Sequence, residues 1–282
     1  MKLVTFRTKD GKVLPGMISG EEVVDLAGSG YGSVQAIVEG GEVSRAAIEA
    51  VKGTAPKLKL ADVTLLAPIA RPPRIFGIGL NYKAHALESN MKTQAVPTVF
   101  LKLSSSVVGP GAEIVLPKNA TQPDYEAELA VVIGKGGYRI KAEDWEQHVF
   151  GYTCCNDVSA RDVQLATTQW TLGKSFPTFT PLGPWIVTKD EIADAHGLNI
   201  QLTIDGEVLQ KANTRDLIFR IPQLIEYLSS ITPLEPGDVI STGTPEGVGM
   251  GRTPQRWMRP DEDVVISIEG IGDLKNRTKA EA

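Results

Sequence analysis

Tyr125-Glu126-Ala127-Glu128-Leu129-Ala130-Val131-Val132-Ile133 is the stretch on which the reading of this chain turns. Successive side chains of a β-strand point to opposite faces, so Glu126 and Glu128 share one face while Tyr125, Ala127, Leu129 and Val131 share the other. A run this apolar is expected to be a buried strand. A second apolar run over 149–155 leads to Asp157, and the three carboxylates then converge. Three anions about 4 Å apart repel by about 4 kcal/mol per pair at an effective dielectric of about 20, or about 12 kcal/mol together. That rivals the ~5–15 kcal/mol that keeps a whole domain folded. Such a trio must hold protons, pair with Arg or Lys, or bind a cation. An all-oxygen donor set suits a hard divalent ion, Mg²⁺ or Mn²⁺, with Ca²⁺ as a substitute. The competing reading is an exposed edge strand carrying two ordinary glutamates.

The chain has 282 residues, more than one typical domain of about 100–150, and divides at the proline-rich segment Ala67-Pro68-Ile69-Ala70-Arg71-Pro72-Pro73. We expect a small α+β unit over 1–70 and a β-rich unit over 71–282. Hydrophobic residues make up 42% and charged ones 22%, the balance of a water-soluble globular protein rather than a disordered one. A net charge of −5 with scattered lysines and arginines argues against nucleic acid as a partner. No stretch approaches the roughly 20 apolar residues of a membrane span, and the charged start Met1-Lys2-Leu3-Val4-Thr5-Phe6-Arg7 lacks a secretory core, so a cytoplasmic protein without membrane contact is expected. Cys154 and Cys155 are adjacent, without the spacing of a zinc or redox motif, and read as packing residues.

Short apolar runs with period two dominate beyond Arg74: 75–78, 99–103, 113–116, 126–133, 149–156, 185–187, 199–204, 238–241 and 264–269. Asp205-Gly206 between two such runs predicts a tight hairpin. Helices are expected over 33–38, 44–51, 142–148, 160–168 and 221–229, and disorder only over 279–282. Without regular strand–helix alternation, a doubly wound sheet is excluded and the class is α+β, rich in strand.

Of three histidines, His85 stands three residues before Glu88, and on a helical turn such a pair lies side by side. The carboxylate then orients the imidazole as a general base, unless the two form only a surface ion pair. Arg161 and Gln164 are likewise one turn apart just after Asp157 and can face a ligand held there. Lys174, in Gly173-Lys174-Ser175-Phe176, lacks the first glycine of a phosphate loop and reads as a point charge, a proton donor or an ordinary surface lysine. Ser241-Thr242-Gly243-Thr244-Pro245 follows a strand, where its amides can line a carboxylate site or merely turn the chain. The polar stretch from Asn81 to Gln94 is expected to act as a lid.

Taken in order, seven blocks resemble the fumarylacetoacetate hydrolase family: Gly79-Leu80-Asn81-Tyr82 with His85 and Glu88; Asp124-Tyr125-Glu126-Ala127-Glu128; Asn156-Asp157-Val158-Ser159-Ala160-Arg161-Asp162-Val163-Gln164; Gly173-Lys174-Ser175-Phe176; Pro181-Leu182-Gly183-Pro184-Trp185; Ser241-Thr242-Gly243-Thr244-Pro245; and Ile268-Glu269-Gly270-Ile271-Gly272. The resemblance implies a catalytic domain built on a mixed β-sheet roll, a small N-terminal domain and a homodimer. It implies Mg²⁺ or Mn²⁺ on Glu126, Glu128 and Asp157, a catalytic His85–Glu88 pair with Lys174, and substrate contacts from Arg161, Gln164 and Thr244. Ile78 stands where the mammalian fumarylacetoacetase carries a further acidic ligand, which resembles a three-ligand branch; Pro177 replaces an aspartate common there. The implied activity is hydrolysis of a C–C bond in a β-diketo acid, an acylpyruvate or fumarylacetoacetate type, through a pyruvate enolate. Oxaloacetate decarboxylation or tautomerisation, or isomerisation of 2-hydroxyhepta-2,4-diene-1,7-dioate, is the alternative; a non-catalytic carboxylate-binding protein is the remote one.

Overall fold

A computed structural model describes residues 1–89 and 94–282. Residues 90–93, inside the stretch read as a lid, lie outside the described residues. The strand Ala127–Ile133 is buried at every position and runs through the middle of a twelve-stranded sheet, antiparallel to Val149–Asn156 on one side and to Val239–Ser241 on the other. It is therefore no exposed edge. Its odd-numbered residues, Ala127, Leu129, Val131 and Ile133, enter a core shared with the helix Ile221–Ile231 and with a five-stranded sheet containing Asn199–Ile204 and Asp263–Ile268. Ala130 and Val132 face a second core, packed against the helix Val34–Val51. Glu126 and Glu128 share the parity of that second face but sit at its end, where the apolar packing stops.

The register pairs Ala127 with Asn156 and Glu128 with Cys155, which carries Asp157 alongside Glu126. The Asp157 amide donates to the Glu126 carbonyl at 2.9 Å, and the Asn156 side chain accepts from the Glu126 amide at 3.0 Å. A parallel strand, Ile75–Gly79, extends the sheet beyond Val239–Ser241, and Thr98–Lys102 closes that edge. Strands of the first seventy residues continue the opposite end of the same sheet, through pairing of Lys2 with Val187.

Asp205 and Gly206 both take positive φ, 50° and 82°, the geometry a two-residue hairpin of this twist requires. The expected helices over 33–38 and 44–51 are found as one element, Val34–Val51, broken at Gly41 with φ 53° and ψ −129°. Two expectations need correction. The helix expected over 160–168 is a single turn, Arg161–Gln164, because Thr167 bonds Gln169 through its hydroxyl and the chain turns out of register there. The tail is ordered: Gly272–Ala280 is a strand pairing Lys279 with Val115 and Ala280 with Leu116, and Lys118 holds Glu281 through its backbone N–H at 2.7 Å.

Candidate active site

Of the expected catalytic, substrate-binding and metal-binding residues, His85, Lys174, Arg161, Gln164, Thr244, Glu126, Glu128 and Asp157 line one small cavity of about 20 Å³ at the end of the sheet, and Glu88 does not. One ligand oxygen from each of Glu126, Glu128 and Asp157 lies within 4.8 Å of the others, and all three side chains are buried. Two glycines of the strand Ile75–Gly79 make room for Phe100 and Trp170, which line the cavity. A Cβ at Gly77 would fall 2.3 Å from the Phe100 ring and one at Gly79 would fall 2.4 Å from Trp170, so the bare backbone admits both aromatics. Phe100 in turn lies under the Lys174 ammonium, 4.9 Å from ring centre to nitrogen.

Each carboxylate has one oxygen tied down by its own partner. Glu128 Oε2 accepts from the Ser241 hydroxyl at 2.6 Å and the Gly243 amide at 2.9 Å. Asp157 Oδ1 accepts from Lys102 at 2.6 Å, and Glu126 Oε1 lies 2.6 Å from Arg161 Nη2. The Arg161 Nη2 hydrogens are not aimed at that oxygen, so the contact is an ion pair and the group remains a buried donor without a hydrogen-bond acceptor. The second oxygens turn inward: Lys174 Nζ bridges Glu126 Oε2 at 2.7 Å and Asp157 Oδ2 at 2.8 Å, while Glu128 Oε1 carries no bond among the described residues.

Burial and neighbouring charge act on each of these groups in opposite directions. Burial alone would raise the Glu126 pKa, but Lys174 and Arg161 outweigh it and hold the carboxyl well below its usual range. Burial would lower the Lys174 pKa, yet Asp157 and Glu126 raise it. Glu128 has no cation of its own. Burial first, then repulsion from Asp157 and Glu126, pushes its pKa well up. With Glu128 ionised, four buried carboxylates, counting Asp124, face three buried cations, Lys102, Lys174 and Arg161, which leaves one negative charge that a proton on Glu128 or a bound cation must offset. A divalent cation fits this donor set, and Glu126, Glu128 and Asp157 are the residues that would hold it.

His85, on the helix Lys83–Glu88, is buried, and its Nδ1 lies 2.9 Å from Glu88 Oε1. Glu88 is itself pinned by the Gly247 amide at 2.9 and 3.1 Å, so the pair is no free surface ion pair. Arg161 Nη1 donates to Gln164 Oε1 at 2.9 Å, the one-turn neighbourhood expected from their spacing. Thr244 accepts from the Gln210 amide at 2.8 Å, and Gln210 in turn accepts from the Ala127 amide. Sequence reasoning passed over Lys102, Asp124 and Gln210. Asp124 falls within a family-like block, but lone polar residues whose partners lie far away in the chain give no local signal.

Residues 74–279 match the family model described as fumarylacetoacetate (FAA) hydrolase C-terminal. The chain belongs to the fumarylacetoacetate hydrolase family of enzymes. It is similar to the mitochondrial oxaloacetate tautomerase FAHD2A of Homo sapiens, 44% identical over 245 residues that cover 86% of this chain and 78% of that protein. Among solved structures, the maleylpyruvate hydrolase of Sphingobium sp. SYK-6, in complex with manganese (II) ion and pyruvate, superposes with a TM-score of 0.86 at 32% identity over all of both chains. The 5-carboxymethyl-2-hydroxymuconate delta-isomerase of Mycobacterium smegmatis does so with a TM-score of 0.81 at 34% identity, again over all of both chains. Tautomerases, hydrolases and isomerases are thus all similar to this chain. Among the described residues no helix is long and apolar enough to cross a membrane.

Proposed function

We propose that the chain interconverts the enol and keto forms of a small 2-oxo dicarboxylic acid of the oxaloacetate type at a site holding Mg²⁺ or Mn²⁺. The observation that carries this reading is the His85–Glu88 pair, 2.9 Å apart, with His85 on the wall of the cavity shared by Glu126, Glu128 and Asp157. Likeness to the oxaloacetate tautomerase supports the substrate class. A bound divalent cation would supply a Lewis acid that polarises the 2-oxo group and so acidifies C3–H. A 2+ ion added to the one excess negative charge leaves the site singly positive, which attracts an anionic keto acid.

Glu88 accepts from His85 Nδ1–H, fixing the tautomer in which Nε2 carries the lone pair. His85 Nε2 takes the proton from C3 of the keto form and delivers it to the 2-oxygen, giving the enol; in reverse it takes the enol O–H proton and returns it to C3, so one proton moves between carbon and oxygen and the imidazole ends each turnover neutral. The Lys174 ammonium stabilises the charge that develops on the 2-oxygen, a role worth about 2.7–4 kcal/mol for a typical donor of this kind. Arg161, with its unaccepted Nη2 hydrogens, and Gln164 and Thr244 beside it hold the substrate carboxylates.

A second reading, hydrolytic C–C cleavage of an acylpyruvate, is favoured by the likeness to maleylpyruvate hydrolase, whose structure holds manganese and pyruvate. There His85 deprotonates a water that attacks the 4-oxo carbon. One assay separates the two: decay of oxaloacetate enol absorbance, run beside cleavage of a panel of acylpyruvates, each with Mg²⁺, Mn²⁺ or EDTA. Enol decay no faster than without enzyme sinks the tautomerase reading, and acylpyruvate cleavage in the same protein would transfer the site to the hydrolase.

The same reading divides the chain into units 1–70 and 71–282, which the start of the family match at residue 74 supports. It also pairs two copies through the edge strand Thr98–Lys102, whose Val99 and Leu101, with Leu103 just beyond, stand exposed in a row.

A further inference from the structure

Lys102 is a fully buried lysine on an edge strand, and the alternation that turns Val99 and Leu101 outward turns Phe100 and Lys102 into the site. Its ammonium donates to Asp157 Oδ1 at 2.6 Å, to the Val158 carbonyl at 3.3 Å and to the Lys174 carbonyl. Burying an ammonium is costly unless it is paired and hydrogen-bonded, and here each of its three hydrogens has an acceptor. The consequence for Asp157 is specific: Lys102 holds Oδ1, while Oδ2 shares the Lys174 ammonium with Glu126 Oε2, so Oδ2 is the oxygen on the side of the other carboxylates that Lys174 bridges. Ser241 and Gly243 do the same to Glu128 by occupying Oε2, and Arg161 lies against Glu126 Oε1 as an ion pair without donating to it.

We propose that Lys102 is a positioning residue that sets cation selectivity: it limits Asp157 to one ligand oxygen and so favours a small octahedral cation over Ca²⁺. Mg²⁺ takes six ligands at about 2.0–2.1 Å in a near-ideal octahedron, whereas Ca²⁺ takes 6–8 at about 2.3–2.6 Å and readily uses both oxygens of a carboxylate. One oxygen from each carboxylate, two of them now bridged by the Lys174 ammonium that a cation would displace, would suit the first ion with water completing its octahedron, and would deny the second the two-oxygen carboxylate contacts it favours. The inference rests on the cation-site reading above.

Calorimetric titration of the protein with Mg²⁺ and, separately, Ca²⁺ tests it. The unaltered protein is expected to bind Mg²⁺ more tightly than Ca²⁺. In Lys102→Met, Mg²⁺ affinity should fall by about 10–100-fold, the usual cost of losing a partner of a metal ligand, while Ca²⁺ recruits the freed oxygen and loses at least about tenfold less. Removing a positive charge strengthens attraction for both ions alike, so that effect cancels in the ratio of the two affinities. Lys102→Gln keeps a donor within reach of Asp157 and should restore most of the preference, which a merely structural role would not predict. Equal Mg²⁺ and Ca²⁺ affinity in the unaltered protein overturns the proposal without any variant having to fold. A ratio in folded Lys102→Met that matches the unaltered protein also overturns it, and leaves the cation site standing. No heat with either ion would overturn the cation site itself.

Discussion

Asp124 and Arg161 form a buried ion pair at the back of the site, Arg161 Nε donating to Asp124 Oδ2 at 2.9 Å. The same carboxylate accepts the backbone amides of Tyr125 at 2.9 Å, Gly249 at 2.7 Å and Met250 at 3.0 Å. One side chain thereby fixes the guanidinium against the loop that carries Met250, a residue of the cavity wall. Asp124→Ala should destabilise the protein by about 3–5 kcal/mol, because it strands a buried charge and empties three amide hydrogen bonds. Urea unfolding measures it; a loss under ~1 kcal/mol would mean that Glu126 alone satisfies Arg161.

His85→Ala should slow enol–keto interconversion of oxaloacetate by about 10²–10⁴-fold, the usual contribution of a general base. Glu88→Gln should lie between that variant and the unaltered protein, since the imidazole stays but its tautomer is no longer held by a carboxylate. Divalent-cation affinity should not change in either, because neither side chain is among the three carboxylates. Full activity in His85→Ala would remove it from the mechanism.

The chemistry was more legible than the scaffolding around it. Glu126, Glu128, His85 and Glu88 announce themselves because each has a partner two or three residues away, at a spacing that local geometry turns into a shared face. Lys102 and Asp157 are 55 positions apart, and Asp124 and Arg161 are 37 apart, so their contacts exist only once the strands are paired. The C-terminal strand Gly272–Ala280 escaped for another reason. Only Leu274, Asn276 and Thr278 of it are buried, and two of those three are polar, so the period-two signal of an apolar strand is missing. Continuity of the sheet from the first strand into Thr180–Thr188 is a long-range pairing that no local pattern encodes.

Val99 and Leu101 stand exposed on an edge strand, a surface that unpaired would invite aggregation. Light scattering at micromolar protein should give a mass near twice 30.3 kDa. Val99→Lys combined with Leu101→Lys should move it to the monomer value, since two charges on each copy meet across a two-fold axis. A dimer that survives both substitutions would place the contact elsewhere.

His196 gives a prediction for stability against pH. Its Nε2 accepts from the Ile221 amide at 3.3 Å, the first residue of the helix Ile221–Ile231, so the fold uses the neutral imidazole. Burial lowers its pKa from the ordinary 6.5; Asp194, with an oxygen 3.6 Å from Nδ1, and Glu146 pull the other way, and Arg220 adds to the lowering. A depressed histidine means that the unfolded chain binds the extra proton first. Its contribution is therefore complete above about pH 6.5, and stability is lost as pH falls from there toward the lowered value in the fold. His196→Gln keeps an acceptor for the Ile221 amide but cannot take up a proton. Its unfolding free energy should fall less steeply than that of the unaltered protein between about pH 6.5 and 5, with the two curves parallel above about pH 7. Curves that stay parallel down to acid would show that His196 keeps its unfolded-state pKa in the folded protein, and that the helix start does not depend on the neutral ring.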